Sequence, residues 1–200
     1  MNIKDIKAVY FVGAGGIGMS AIARYFLKKG LVVAGYDKTP SDLTRQLEKE
    51  GMLIHYEENV DEIPHVCKQK EVCLVIYTPA IPADHQELMF FRDNGFEIQK
   101  RAQVLGTLTQ AHKGLCVAGT HGKTTTSTMC AHIMHQSHLD CNAFLGGISK
   151  KVYAVMTTVS QSAISTQRTY ASRMERLPSI SSHPLRASRM CNWASQFLLT

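Results

Sequence analysis

Residues 13–18, Gly-Ala-Gly-Gly-Ile-Gly, fit G-x-G-x-x-G and stand where that pattern has structural force. They follow the apolar run Val9–Val12 and precede a stretch with helical periodicity, Met19–Lys29, which Gly30 closes. A strand that passes through glycines directly into a helix makes a tight turn and leaves the N–H groups of the first helical turn unpaired. The next hundred residues repeat the alternation. Leu31–Tyr36 reads as a strand, Asp42–Glu50 as a helix stopped by Gly51, and Leu53–Tyr56 as a third strand. Val72–Tyr77 is a fourth strand ending at Thr78-Pro79, Asp84–Asn94 a helix ending at Gly95, and Phe96–Gln99 a fifth strand. Alternation of this kind predicts an α/β fold with a parallel, doubly wound sheet of Rossmann type.

In such a fold the glycine loop approaches a diphosphate at the helix N-terminus. The candidate residues are Gly13, Ala14, Gly15, Gly16, Ile17 and Gly18. Asp37 closes the second strand, 19 residues after Gly18, where an acceptor for ribose or base edges is expected. Alone, this pattern also fits a nicotinamide-dependent oxidoreductase or a non-catalytic nucleotide-binding protein.

A second loop argues against the oxidoreductase. Gly114–Ala118 is a buried-strand pattern, Gly119-Thr120-His121-Gly122-Lys123 a polar loop, and Thr124–Gln136 a helix. This resembles a P-loop: backbone N–H groups surround phosphate oxygens, Lys123 supplies a cation, and the Thr124 or Thr125 hydroxyl can ligate Mg²⁺. Val117 replaces the first glycine of the full G-x-x-x-x-G-K-[ST] pattern. His121 has two open readings, contact with phosphate or ligand and a hydrogen bond inside the loop. A domain boundary is expected near 105–113, giving units 1–110 and 111–150.

Charge settles the partner class. The chain carries +6, but residues 1–150 hold 16 basic and 15 acidic side chains and residues 151–200 hold six and one. A nucleic-acid binder concentrates basic charge on its folded face, so nucleic acid is not expected. No run of eighteen apolar residues occurs, so no membrane span is expected, and the first residues lack a secretory core. The six cysteines form no C-x-x-C pair, which points to a reducing cytoplasm. His132, His135 and His138 recur at three-residue steps that rotate them apart around a helix, which argues against a shared metal. The acidic run 57–62 reads as a solvated loop or short helix.

Gly-Thr-His-Gly-Lys-Thr-Thr-Thr at 119–126 resembles the ATP loop of the Mur ligases of peptidoglycan synthesis. Phe-Val-Gly-Ala-Gly-Gly-Ile-Gly-Met-Ser from Phe11, Thr78–Ile81, Arg101–Leu105 and Phe144–Gly147 are similar to the same family, with Gln103 where an acidic residue is usual. The resemblance covers residues 5–150. It implies an ATP-dependent ligase of the bacterial cytoplasm, with UDP-N-acetylmuramate in the first domain, ATP and Mg²⁺ in the second and L-alanine in a third. By this resemblance Lys123 is the catalytic cation, Gly119, Thr120, His121, Gly122, Thr124 and Thr125 hold ATP, and Thr124 and Thr125 serve the metal. The oligomeric state is left open.

Residues 151–200 change character: no Gly, no Asp, fourteen Ser and Thr, and five of the nine arginines. The plain reading is a disordered tail. The sharper one is an out-of-frame translation that replaces the family's acidic continuation, which would leave the polypeptide without ligase activity. Only a stretch near Met190–Leu199 hints at periodicity.

Overall fold

The computed structural model describes residues 5–110, 113–137, 141–145 and the backbone of 195–199. Five strands, β1 (Ala8–Val12), β2 (Val32–Tyr36), β3 (Leu53–His55), β4 (Cys73–Tyr77) and β5 (Glu97–Lys100), form one parallel sheet in the order β3-β2-β1-β4-β5. The reversal of winding lies between β1 and β4, and the crevice there faces the glycine loop. This is the position where such sheets take their ligands.

β1 is the centre of the molecule. All five of its residues are fully shielded from water, so it reads as a continuous apolar run rather than an alternating one. Val9 and Phe11 face helix α1 (Ile17–Lys28) and helix α4 (Arg101–Gln110), packing with Ile22, Phe26, Val104, Leu105 and Leu108. Ala8, Tyr10 and Val12 face the opposite side, with Cys67, Phe91 and Phe96, where helix α3 (Gln86–Asp93) covers the sheet. Gly35 makes the close strand approach possible, since a Cβ there would lie 2.5 Å from the Phe11 carbonyl oxygen. Helix α2 (Asp42–Lys49) begins with a reciprocal cap: the Thr44 N–H donates to Ser41 Oγ, and the Ser41 N–H donates to Thr44 Oγ1.

The sheet and four of the expected helices match the sequence pattern to within two residues at nearly every boundary. Two things differ: α4 follows β5 without a break where no helix is expected, and a 3₁₀ turn, His65–Lys68, stands beyond the acidic stretch. The turn Val60–Glu62 is the short helix of the two readings for 57–62. A second, three-stranded sheet holds β6 (Lys113–Val117) and β7 (Cys141–Phe144), with helix α5 (Lys123–Gln136) between them in the chain. Strand β8 (Ser195–Leu199) lies between β6 and β7, antiparallel to both. It falls in the one stretch of the tail with a hint of period, and residues 146–194 lie outside the described structure. Phe144 joins the first core and its ring meets that of Tyr25 in α1 at 6.0 Å between centroids.

Candidate functional site

The first loop is shaped by its neighbours at the strand ends. The Gly13 and Ala14 N–H groups both donate to the Tyr36 carbonyl, at 2.8 and 3.0 Å, which folds the chain back over the end of β2. Gly13 turns with φ of +92°, and a Cβ on it would lie 2.5 Å from the Thr78 methyl. Both facts require glycine. The Gly15 N–H donates to Asp37 Oδ2 at 2.6 Å, while Asp37 Oδ1 accepts from the Thr39 N–H at 3.1 Å. Asp37 is therefore brought to the loop as expected, but both its oxygens already accept from the main chain.

Beyond Gly15 the loop is open. Gly16 caps α1 without a side-chain hydrogen bond. The N–H groups of Gly16, Ile17 and Gly18 have no protein acceptor among the described residues. The positive end of the α1 dipole is directed at the same point. Arg101, the first residue of α4, completes the rim: a Cβ on Gly18 would be 2.8 Å from Arg101 Nη1. Unpaired amides lie at this helix N-terminus with a guanidinium beside Gly18, a set of groups that suits an anion.

Arg101 and Thr78 are the residues that spacing did not assign. Each belongs to a motif quoted above, yet a contact over 83 residues between Gly18 and Arg101 depends on where β5 lands in the sheet.

The second loop is more exposed. Gly122 caps α5 in the left-handed region, φ +73°. Lys123 Nζ donates back to the carbonyls of Gly119 and Thr120, at 2.7 and 3.0 Å, so the ammonium lies across the loop. The N–H groups of Lys123, Thr124 and Thr125 have no acceptor among the described residues. Both threonines are solvent-exposed. Ser127 Oγ donates to the Lys123 and Thr124 carbonyls, which anchors the first turn of the helix. His121 Nδ1 sits 3.3 Å from Thr120 Oγ1 in solvent, the in-loop hydrogen bond of its two readings. The donor set suits a polyphosphate, and the free hydroxyls of Thr124 and Thr125 are hard oxygen ligands of the kind Mg²⁺ takes. Among the described residues no cluster of His, Cys, Asp or Glu has metal-site geometry; His132 and His135 are exposed on α5, and His138 lies outside them.

Behind the first loop is a buried polar network that the sequence did not announce. Tyr10 Oη donates to Glu87 Oε2 at 2.7 Å and lies 2.6 Å from His55 Nε2. The Asn59 N–H donates to Glu87 Oε1. Burial raises the Glu87 carboxyl above its ordinary value, against the opposing pull of Tyr10, His55, Asn59 and His85. Burial and the Glu87 carboxylate push the Tyr10 phenol far upward. His55 Nδ1 bonds the Glu57 carbonyl, and the His55 carbonyl receives the Asp37 N–H. The network thereby fixes the strand end that bears Asp37.

Comparison with known proteins places these loops in context. The chain is 64% identical over 150 residues to the UDP-N-acetylmuramate–L-alanine ligases of Phocaeicola vulgatus and Parabacteroides distasonis, covering 75% of this chain. It spans about a third of the length of these relatives, 33% and 32%. Among solved structures, the UDP-N-acetylmuramate-alanine ligase MurC of Thermotoga maritima superposes with a TM-score of 0.63 at 33% identity, covering 72% of this chain and 33% of that one. The profile "Mur ligase family, catalytic domain" matches residues 8–113. That match takes in the whole parallel sheet, the glycine loop and Arg101, and with it the chain belongs to the Mur ligase family.

Proposed function

We propose that this chain supplies the nucleotide-binding portion of an ATP-dependent ligase joining L-alanine to UDP-N-acetylmuramate in peptidoglycan synthesis. The observation that carries it is the pair of open anion loops on one chain, Gly16–Gly18 with Arg101 and Gly119–Thr125 with Lys123. One loop serves a nucleotide diphosphate; two serve a reaction that brings two polyphosphates together. An oxidoreductase would leave the second loop idle, and a passive nucleotide binder needs only one.

In this reading residues 1–110 hold the UDP-sugar and residues 111–150 open the ATP-binding unit. The muramate carboxylate oxygen attacks the γ-phosphorus of ATP, the bond to the β-phosphate oxygen breaks, and ADP leaves an acyl phosphate. The L-alanine amine then displaces phosphate from the acyl carbon and loses a proton. Lys123 releases the Gly119 and Thr120 carbonyls and turns to the transferring phosphoryl group. The Lys123, Thr124 and Thr125 amides fix the phosphate chain, and the Thr124 and Thr125 hydroxyls would hold Mg²⁺. Mg²⁺, when bound, neutralises charge on the phosphoryl oxygens. Catalysis by such parts is positioning and charge stabilisation. The reaction uses solutes of the bacterial cytoplasm, where we place the protein, and it needs no nucleic acid or membrane.

Calorimetry on the 200-residue chain tests this. It should bind UDP-N-acetylmuramate and not NADH, and Lys123→Ala should abolish ATP binding while leaving the UDP-sugar untouched. The chain by itself should form no UDP-N-acetylmuramoyl-L-alanine. Tight NADH binding in place of the UDP-sugar would reject the proposal.

A further inference from the structure

The glycine loop is divided between a resident anion and a resident cation. On one side the Asp37 carboxylate takes the Gly15 N–H at 2.6 Å. A Cβ on Gly15 would lie 2.9 Å from Asp37 Oδ2, so the glycine is what lets the carboxylate in. On the other side the Arg101 guanidinium lies against Gly18, with Nη1, Cδ and Cζ all within 3.2 Å of where a Cβ would stand. Arg101 is only partly exposed, and no carboxylate or hydrogen-bond acceptor among the described residues pairs with it. A half-shielded guanidinium gains most from an anion held in its plane. The N–H groups of Gly16, Ile17 and Gly18 have no acceptor among the described residues, and Gly18 is the one the guanidinium lies against.

We infer that Arg101 is the ligand-side cation of the first loop: it pairs with the phosphate of the bound nucleotide beside the Gly16–Gly18 amides, while Asp37 is a positioning residue that keeps Gly15 occupied and the phosphate off it. The inference rests on the nucleotide reading of this loop proposed above. It also assigns chemistry: the guanidinium recognises the phosphoryl group and not the nucleoside.

The test is calorimetric titration of the whole chain with UDP and, separately, with uridine. Arg101→Gln should weaken UDP on the order of 10- to 100-fold, the scale of a charge-assisted hydrogen-bonded pair, and leave uridine within about threefold. Arg101→Lys should recover part of the loss, because it keeps the charge and loses the planar fork. Gly18→Ala gives an independent route: its methyl displaces the guanidinium, so the same selective loss is expected with Arg101 intact. Raising the salt concentration should weaken UDP binding to the unaltered chain more than to Arg101→Gln. Unchanged UDP affinity in Arg101→Gln, or equal losses for UDP and uridine, overturns the inference while leaving the nucleotide reading standing. If UDP fails but ADP or NADH binds and is lost in Arg101→Gln, the inference holds and the UDP reading falls. If no phosphorylated probe binds the unaltered chain, both fall.

Discussion

The Glu87 carboxylate is completely shielded from water, and it earns that position through Tyr10, Asn59, His55 and His85 rather than through a lysine or arginine. Its carboxyl is raised above the ordinary value of 4.5 because burial outweighs those contacts. The sign of the consequence follows from proton linkage. Below pH 4.5 both folded and unfolded chains hold the proton, and the contribution of Glu87 is fully present. As pH rises the unfolded chain releases it first, so the folded state loses that advantage until its own raised pKa is passed. Urea unfolding from pH 4.5 upward should therefore show the parent chain losing stability relative to Glu87→Gln. A gap that stays constant or widens in favour of the parent contradicts this. His55 and His85, with Glu58 and Glu62 outside them, face the same cluster, so the variant is needed to isolate the Glu87 share. Glycine and P-loop spacings are legible in a sequence because their contacts are local. The network of Tyr10, His55 and Glu87 is not, because it joins a strand centre, a strand end and a helix start 77 residues apart.

Among the elements, α4 shows what periodicity misses. Arg-Ala-Gln-Val-Leu-Gly-Thr-Leu-Thr-Gln mixes polar and apolar residues and buries only Val104, Leu105 and Leu108. Gly and Thr are weak helix formers, and no turn signal separates the segment from β5. Its helix comes from tertiary packing against β1 and α1, which a local pattern does not reveal. The five strands were legible for the opposite reason: buried parallel strands are unbroken apolar runs, and Gly30, Gly51 and Gly95 each end a helix with φ between +70° and +102°. A measurable consequence sits at Gly106. Nothing lies within 4 Å of a Cβ placed there, and its backbone is helical. Gly106→Ala should raise stability by about 0.4–1 kcal/mol, read as a higher urea midpoint with unchanged slope. A lower midpoint would show that α4 is held by something other than its core face.

For the molecule as a whole, the two loops depend on different parts of the chain. The first sheet is closed within residues 5–110, with both faces covered by its own helices. The second sheet is not closed in the same way: among the described residues β6 and β7 pair in the sheet through β8, residues 195–199, although α5 packs on both. Phe144 ties β7 to the first core beside Tyr25, yet it cannot replace the strand between β6 and β7. Removing that strand leaves two short strands without the partner between them, and isolated short strands are marginal in water. A chain ending at Lys150 should therefore keep the affinity of the full chain for UDP within about twofold, since each twofold change is only about 0.4 kcal/mol. Hydrogen exchange should show amide protection lost over 113–117 and 141–144 and retained over 8–12 and 73–77. Loss of UDP binding would mean that the first loop draws on the second unit for its shape. Undiminished protection at β6 and β7 would mean that β8 adds nothing to the sheet. The expected pattern, one loop intact and the other loosened, would also locate the basic excess: it lies in residues 151–200, outside the sheet that carries the first loop.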